Sequence, residues 1–209
     1  THWYGKAWQA TGAELVFQAR DGYRSVVPGT KIKQFRTYLA FARGDGTPFV
    51  VNNPDQHESR IPLDPYYLIW DNRGNDELLR NGAYGWPYQV TQIELRSATD
   101  DDPALLPKHP AADSRLALAE TRKYCLSCHR INGQGGAKYP EDLARAACRW
   151  SDSDLKAWID DPGRFRPGTS MPRLDRMLPD DQRQPTIDRI VAYLRAIQKD
   201  QDACSGKAG

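Results

Sequence analysis

Three residues that bind cofactors in proteins lie within one five-residue segment, Cys125-Leu-Ser-Cys128-His129. Two thiols at this spacing can each add to one vinyl group of the same porphyrin, and the adjacent imidazole can then reach the iron. A Cys-x-x-Cys pair also occurs in redox disulfides, in half of a zinc site, or by chance. No other common cofactor needs Cys, Cys and His in this order. The segment therefore predicts one covalent haem c on Cys125 and Cys128, with His129 as an iron ligand.

The other two of the four cysteines, Cys148 and Cys204, lie outside this segment. With Cys125 and Cys128 they could complete a four-cysteine zinc site. In an oxidising compartment, two leftover cysteines usually pair with each other instead. We predict a disulfide between Cys148 and Cys204, with two independent thiols as the alternative.

Composition divides the chain into two parts. Four of the six Trp and no Cys precede residue 98, whereas all four Cys and both Met follow residue 113. The stretch between these parts combines an acidic run at 100–102 with Pro103, Pro107 and Pro110, and it has no apolar period. Such a stretch is typical of a linker. We predict a first domain at 1–99, a linker at 100–113 and a second domain at 114–209.

The first domain is predicted to be α+β and rich in strands. Residues 14–19 and 24–27 flank Asp21-Gly22, and residues 37–43 and 49–51 flank a Gly-rich turn at 44–47, so each pair predicts a β-hairpin. Further strands are predicted at 66–70 and 88–95, and a short helix at 76–81.

The second domain is predicted to be helical. Helices are expected at 114–125, 140–148, 151–160 and 185–200. The last places five apolar residues on one stripe, namely Ile187, Ile190, Val191, Leu194 and Ile197. So few apolar residues cannot build a large core alone, which favours a small bundle around some further group.

The second domain resembles the class I cytochromes c over residues 116–198. Besides the Cys-x-x-Cys-His segment, the matching stretches are Ile131-Asn-Gly-Gln-Gly-Gly136, Tyr139-Pro140, Asp142-Leu143, Trp158-Ile-Asp-Asp-Pro162, Pro167-Gly-Thr-Ser-Met-Pro172 and Ile190-Val-Ala-Tyr-Leu194. The resemblance implies an all-α class I cytochrome c domain. It also implies that the carbonyl near Pro140 orients His129, although the local stretch is one residue longer than usual for the family.

The same resemblance implies that Met171 is the second axial ligand of the iron. A thioether favours ferrous iron and raises the reduction potential relative to a second His. With both axial positions filled by protein, the site is suited to passing one electron rather than to binding a substrate. An ordinary core methionine is the alternative, and Met177, the other methionine, lacks the flanking Gly and Pro.

Further residues are candidates for the haem pocket. Aromatic side chains could line the haem edge, and basic ones could pair with the propionates, although core aromatics and a solvated basic loop are the simpler explanations. The candidates are Tyr139, Pro140, Trp158, Phe165, Arg164, Arg166 and Arg173.

The first domain bears a resemblance of its own, to the molybdopterin domain of sulfite-oxidase-type enzymes. It is carried by Asp21-Gly-Tyr-Arg24, Thr37-Tyr-Leu-Ala-Phe-Ala-Arg43, Asp45-Gly-Thr-Pro-Phe49 and Tyr66-Tyr-Leu-Ile-Trp70. That family binds its metal through a cysteine, and this region has none. The resemblance implies a domain that has kept the scaffold and lost the cofactor.

Charge and hydropathy limit the possible functions. The formal net charge is only +2, with acids and bases interleaved, which gives little support to nucleic-acid binding. No apolar run is long enough to cross a bilayer. We expect a mature, exported protein whose signal peptide has been removed.

The predicted function is that of a periplasmic monohaem cytochrome that carries single electrons between redox partners. Its partner would be a dehydrogenase, an oxidase or a membrane redox complex, docked by the aromatic-rich first domain. The alternative is a haem-containing subunit of an oxidoreductase whose first domain binds a substrate or a second cofactor. A sensor or structural subunit is a further alternative.

Overall fold

The computed structural model describes residues 5–80, 85–97, 103–174 and 178–204. Within this part of the chain the strands are β1 (Ala13–Ala19), β2 (Arg24–Pro28), β3 (Thr37–Ala40), β4 (Val50–Asn53), β5 (Glu58–Pro62), β6 (Tyr67–Trp70), β7 (Val90–Ser97), β8 (Arg130–Ile131) and β9 (Gln134–Gly135). The helices are α1 (Gly29–Gln34), α2 (Asp76–Arg80), α3 (Ser114–Tyr124), α4 (Leu143–Ala147), α5 (Asp152–Asp160) and α6 (Asp180–Gln201).

The chain folds into two compact units. The first is drawn from Thr1–Asn52, Ser59–Asp100 and Gly136–Lys138, and the second from Asn53–Glu58, Asp101–Gly135 and Tyr139–Gly209. Of the predicted linker, residues 100–102 lie outside the described residues, and 103–113 belong to the second unit. The domain boundaries taken from the sequence stay a prediction.

In the first unit, β1 is the central strand of an antiparallel sheet with the order β2-β1-β7. The predicted hairpin around Asp21-Gly22 is confirmed, with Leu15 opposite Val27 and Val16 opposite Val26. The Asp21 carboxylate accepts a bond of 2.9 Å from the Tyr23 N–H, and Gly22 has a φ of 87° that suits glycine. The core of this unit contains Phe17, Val27, Leu68, Trp70, Leu78 and Val90.

The second predicted hairpin, between 37–43 and 49–51, is wrong. Strand β3 pairs with β6, and β4 pairs with β5. The turn between β3 and β4 is stabilised locally, because the Asp45 carboxylate accepts bonds from both the N–H and the hydroxyl of Thr47. Pro48 then follows without an N–H, so it cannot donate to a ladder with β3. The two predicted strands exist, but each has a different partner.

In the second unit, the long helix α6 is the centre of the packing. Its predicted apolar stripe is confirmed, since the five residues are all at most 2% exposed. Helices α3, α4 and α5 each pack against α6. Among the described residues, no helix combines the length and apolarity needed to cross a bilayer.

The predicted all-α class of the second domain is wrong. Strands β8 and β9 pair antiparallel there, with Arg130 opposite Gly135 and Ile131 opposite Gln134. The turn residues Asn132 and Gly133 have φ values of 52° and 78°. Positive φ at both central positions gives a type I′ turn, and Asn-Gly is the sequence that favours it. The described part of the chain is thus a mixed α/β protein with several antiparallel sheets and six helices.

The predicted disulfide is present, because Cys148 and Cys204 are bonded to each other. It joins the end of α4 to the residues after α6, across a sequence separation of 56. Closing a loop of this length reduces the conformational entropy of the unfolded chain. The disulfide therefore stabilises the second unit, because it lowers the entropy that the unfolded chain loses on folding.

We expect the double variant Cys148→Ala, Cys204→Ala to lose about 4 kcal/mol in free energy of unfolding, from loop entropy alone. Urea unfolding followed by circular dichroism measures the loss. The unreduced parent protein is the reference, and the parent treated with a reductant should match the variant. An unfolding midpoint equal to that of the reference would contradict the expectation.

Candidate cofactor site

The Cys-x-x-Cys-His segment forms a single turn that continues from the end of α3. The Cys125 N–H donates to the Thr121 carbonyl at 2.8 Å. The Cys125 carbonyl then accepts from the N–H groups of Cys128, at 3.1 Å, and His129, at 3.0 Å. Leu126 is 6% exposed and anchors this turn in the core. The backbone therefore holds Cys125, Cys128 and His129 in one hydrogen-bonded turn.

The two cysteines of this turn are thiols and not a disulfide. Burial, with a smaller contribution from Cys128, raises the pKa of the Cys125 thiol to about 12. Cys125 therefore stays a protonated thiol near neutral pH in this environment.

A four-cysteine zinc site is excluded by the disulfide between Cys148 and Cys204. Cys148 and Cys204 are bonded to each other, so neither can supply a thiolate next to Cys125 and Cys128. No cluster of three or more His, Cys, Asp or Glu side chains suited to a metal ion occurs in the described ranges.

His129 is placed as a neutral imidazole. Burial lowers its pKa to about 4, so the ring carries no charge near neutral pH and keeps a lone pair for a metal. Its ring stacks on that of Tyr139, with centroids 4.9 Å apart and planes at 23°. The Tyr139 N–H also donates to the Cys128 carbonyl at 3.2 Å, which ties Tyr139 to the cysteine turn.

The Met171 sulfur is positioned by the side chain of Trp158. The indole Nε1–H donates to Met171 Sδ at 3.0 Å. The Met171 N–H donates to Thr169 Oγ1 at 3.3 Å, and Gly168 takes the left-handed conformation that turns the loop. Met177 lies outside the described residues, so the structure gives no position for the other sulfur.

Tyr139 connects the two predicted axial ligands. Its ring lies on His129, and its hydroxyl forms a hydrogen bond of 2.7 Å with the hydroxyl of Ser170, the residue before Met171. The structure thus brings Cys125, Cys128, His129 and the loop of Met171 into one region, although they are up to 46 positions apart in sequence.

Two of the predicted pocket aromatics belong to a cluster next to Met171. Trp158 and Phe165 lie 6.0 Å apart between ring centroids, and Trp150 stacks on Trp158 at 5.0 Å. Phe165 is 44% exposed, which is unusual for so large an apolar side chain. Trp150 was not predicted as a pocket residue. Trp150 follows the short helix α4, where the sequence has no apolar period that could have predicted its position in the pocket.

The predicted basic residues differ in their surroundings. Arg164 is exposed and lies 3.5 Å from the Asp161 carboxylate, and Arg166 is exposed. Arg173 is different, because its Nε is buried and has no hydrogen-bond partner among the described residues. A buried donor without an acceptor is costly. A carboxylate such as a haem propionate would accept a hydrogen bond from Arg173 Nε, so Arg173 fits a site for haem.

The hairpin β8–β9 packs against the backbone of the cysteine turn. Gly135 has a φ of 118°, and a Cβ at this position would overlap the His129 carbonyl oxygen. The Asp142 carboxylate accepts from the Asn132 N–H at 2.7 Å and from the Ala144 N–H at 2.9 Å. The Pro140 carbonyl, predicted to orient His129, accepts a bond from the Arg130 guanidinium.

Comparisons with known proteins give one short similarity. Over 81 residues the chain is 28% identical to cytochrome c oxidase subunit 2 of Alkalihalophilus pseudofirmus. The matched region covers 35% of this chain and 22% of that protein, so the chain spans about a fifth of its length. No protein-family model matches the chain, and no solved structure matches it. The resemblance of the first domain to a molybdopterin domain stays a prediction.

Proposed function

We propose that this chain is an exported, monohaem c-type electron-transfer protein. One haem c would be held by thioethers from Cys125 and Cys128, with His129 and Met171 as the axial ligands of its iron. The observation that supports this most is the single turn that carries two thiols and a neutral imidazole, connected through Tyr139 to the loop of Met171.

When bound, haem c supplies a one-electron couple between ferric and ferrous iron. Cys125 and Cys128 would fix its position, and His129 would offer it a lone pair that burial keeps unprotonated. Met171 offers a soft, uncharged sulfur that favours the ferrous state. With His129 and Met171 both holding the iron, no position would be left for a substrate, which would favour electron transfer.

Two other observations support an exported redox role. The disulfide between Cys148 and Cys204 fits an oxidising compartment, and we place the protein in the periplasm. The similarity to a cytochrome c oxidase subunit 2 supports a role in electron transfer and a redox complex as the partner. The first unit, which has no predicted cofactor, would serve as the docking module.

The proposal is tested by expressing the chain with a cytochrome c maturation system. The purified protein should contain one iron per chain, keep its haem stain on a denaturing gel, and titrate as a single one-electron couple. A colourless preparation, or haem that acid–acetone extraction removes, would overturn it.

We expect Trp158→Phe to lower the reduction potential by an amount on the order of tens of millivolts. The indole N–H withdraws electron density from the Met171 sulfur, and its loss makes the sulfur a better ligand for ferric iron. Potentiometric titration measures the shift. Trp150→Phe is the matched control, because Trp150 stacks on Trp158 and leaves the bond to sulfur in place. Equal potentials in the two variants would contradict the expectation.

A further inference from the structure

Strand β3 of the first unit has an outer edge that no other described strand covers. Among the described strands, β6 alone pairs with β3. The Asp71 N–H donates to the Arg36 carbonyl, and the register places Tyr38 opposite Ile69 and Leu39 opposite Leu68. Because backbone groups alternate in direction along a strand, those of Arg36, Tyr38 and Ala40 face β6. Those of Thr37, Leu39 and Phe41 point away from it.

A bond on the opposite side of β6 supports this assignment. The Leu68 N–H donates to the Pro87 carbonyl at 3.0 Å, so Leu68 directs its backbone away from β3. Its opposite residue, Leu39, must therefore do the same. The outer edge of β3 presents N–H and C=O groups suited to pairing with another strand.

The side chains of this edge are apolar on both faces. Tyr38 is 47% exposed on one face, while Leu39 and Phe41 are 38% and 73% exposed on the other. Tyr66, next to β6, is also exposed. Native proteins normally protect an open edge with charges, prolines or bulges along the strand. Four exposed apolar side chains beside an open edge are characteristic of strand addition.

Most of the charged residues around this edge are basic. Residues 22–44 contain Arg24, Lys31, Lys33, Arg36 and Arg43 and no acidic residue. Arg36 is 71% exposed and Arg43 is exposed, one before β3 and the other after it. Two acids lie near this edge: Asp71 binds Arg73 at 2.8 Å and lies 3.9 Å from Arg36, and Asp45 binds Thr47. A strand with acidic residues at its ends would complement this edge.

We propose that the outer edge of β3 binds an extended segment of a partner protein, with alternate apolar residues between acidic ends. The partner's role as an electron donor or acceptor rests on the proposed function, whereas the binding itself does not. A second copy of this chain is a poor occupant. In an antiparallel pair of two β3 strands, Arg36 of one copy would approach Arg43 of the other, and like charges across strands are destabilising.

The test uses the full chain, prepared with and without haem, and a fluorescein-labelled peptide of sequence Asp-Thr-Val-Thr-Val-Thr-Val-Glu. Fluorescence anisotropy should rise on binding. N-methylation of alternate amides, which removes the donors of one strand edge, should weaken binding about tenfold. A peptide with Lys at both ends should bind about as weakly.

Variants of the edge give the matching results. Leu39→Pro removes an outward N–H and should weaken binding about tenfold. Leu39→Ser with Phe41→Ser should do the same through lost apolar contact, and circular dichroism checks that each variant folds. Arg36→Glu with Arg43→Glu should reverse the preference in favour of the Lys-ended peptide. Leu116→Ser, at an exposed apolar residue of the second unit, is the control and should bind as the parent does.

The inference would be overturned by no anisotropy change up to millimolar protein, by equal binding of the N-methylated peptide, or by self-association of the chain that Leu39→Pro abolishes. Binding to phosphatidylglycerol vesicles in place of the peptide would also overturn it, since the edge would then be a membrane surface. Peptide binding to the haem-free chain separates the two proposals. Loss of peptide binding with haem intact removes only the inference, and loss of haem with peptide binding intact removes only the proposed function.

Discussion

Haem stain on a denaturing gel is expected to disappear when Cys125 and Cys128 are both replaced by alanine. Thioethers are the only bonds in the proposed site that survive denaturation, because axial bonds from His129 and Met171 break when the chain unfolds. The variant should also yield its haem to acid–acetone extraction, whereas the parent should not. Haem stain and extraction together measure covalent attachment without reference to activity.

The chain provides a matched control for this experiment. The double variant Cys148→Ala, Cys204→Ala removes two cysteines as well, but these form the disulfide and lie outside the proposed site. It should keep its haem stain at parental intensity per chain, even with reduced stability. Persistence of stain in the Cys125, Cys128 variant would end the covalent assignment. Equal loss in the control would show that haem retention follows folding and not these thiols.

Helices with a clear apolar period could be predicted from the sequence. The stripe of α6 was confirmed because the 3.6-residue period shows directly which face is buried. The N-terminal end of α5 was also predicted, and the Ser151 side chain accepts a bond from the Asp154 N–H at 3.1 Å. These features depend on neighbouring residues alone, so local chemistry determines them.

Pairing between distant strands could not be predicted in the same way. Strand β3 was expected to pair with the next strand along the chain, yet its partner is β6, about 30 residues away. Sequence alternation shows that a strand has two faces, but it does not show which other strand it meets. The hairpin β8–β9 was missed for a different reason. Its Asn132-Gly133 signal was present, but each strand is only two residues long.

The candidate site was partly predictable. The cysteines and His129 form a motif in sequence, and the family resemblance added Met171. The contacts of Ser170, Gly135 and Trp150 became visible only when the chain was folded, because each is made with a residue outside its own local stretch. The choice among the arginines likewise needed the structure, since only the buried Nε of Arg173 distinguishes it from Arg164 and Arg166.

We expect Met171→Ala to lower the reduction potential by an amount on the order of 100 mV. The thioether sulfur favours ferrous iron, and water or hydroxide in its place favours the ferric state. The variant should also bind added imidazole at the iron, which the parent should resist if Met171 is the ligand in that position. Potentiometry and an optical titration with imidazole measure the two effects independently.

Met177→Leu is the control for this substitution, because Met177 carries the other methionine sulfur of the chain. It should keep the parental potential and the resistance to imidazole. If Met177→Leu shifted both and Met171→Ala shifted neither, the axial sulfur would come from Met177, and the loop held by Trp158 and Ser170 would have another role. If neither variant changed the potential, a group other than a thioether would be the second ligand. The bond from the Trp158 indole to Met171 Sδ favours Met171 as the ligand, since it fixes one lone pair of that sulfur and leaves the other for the metal.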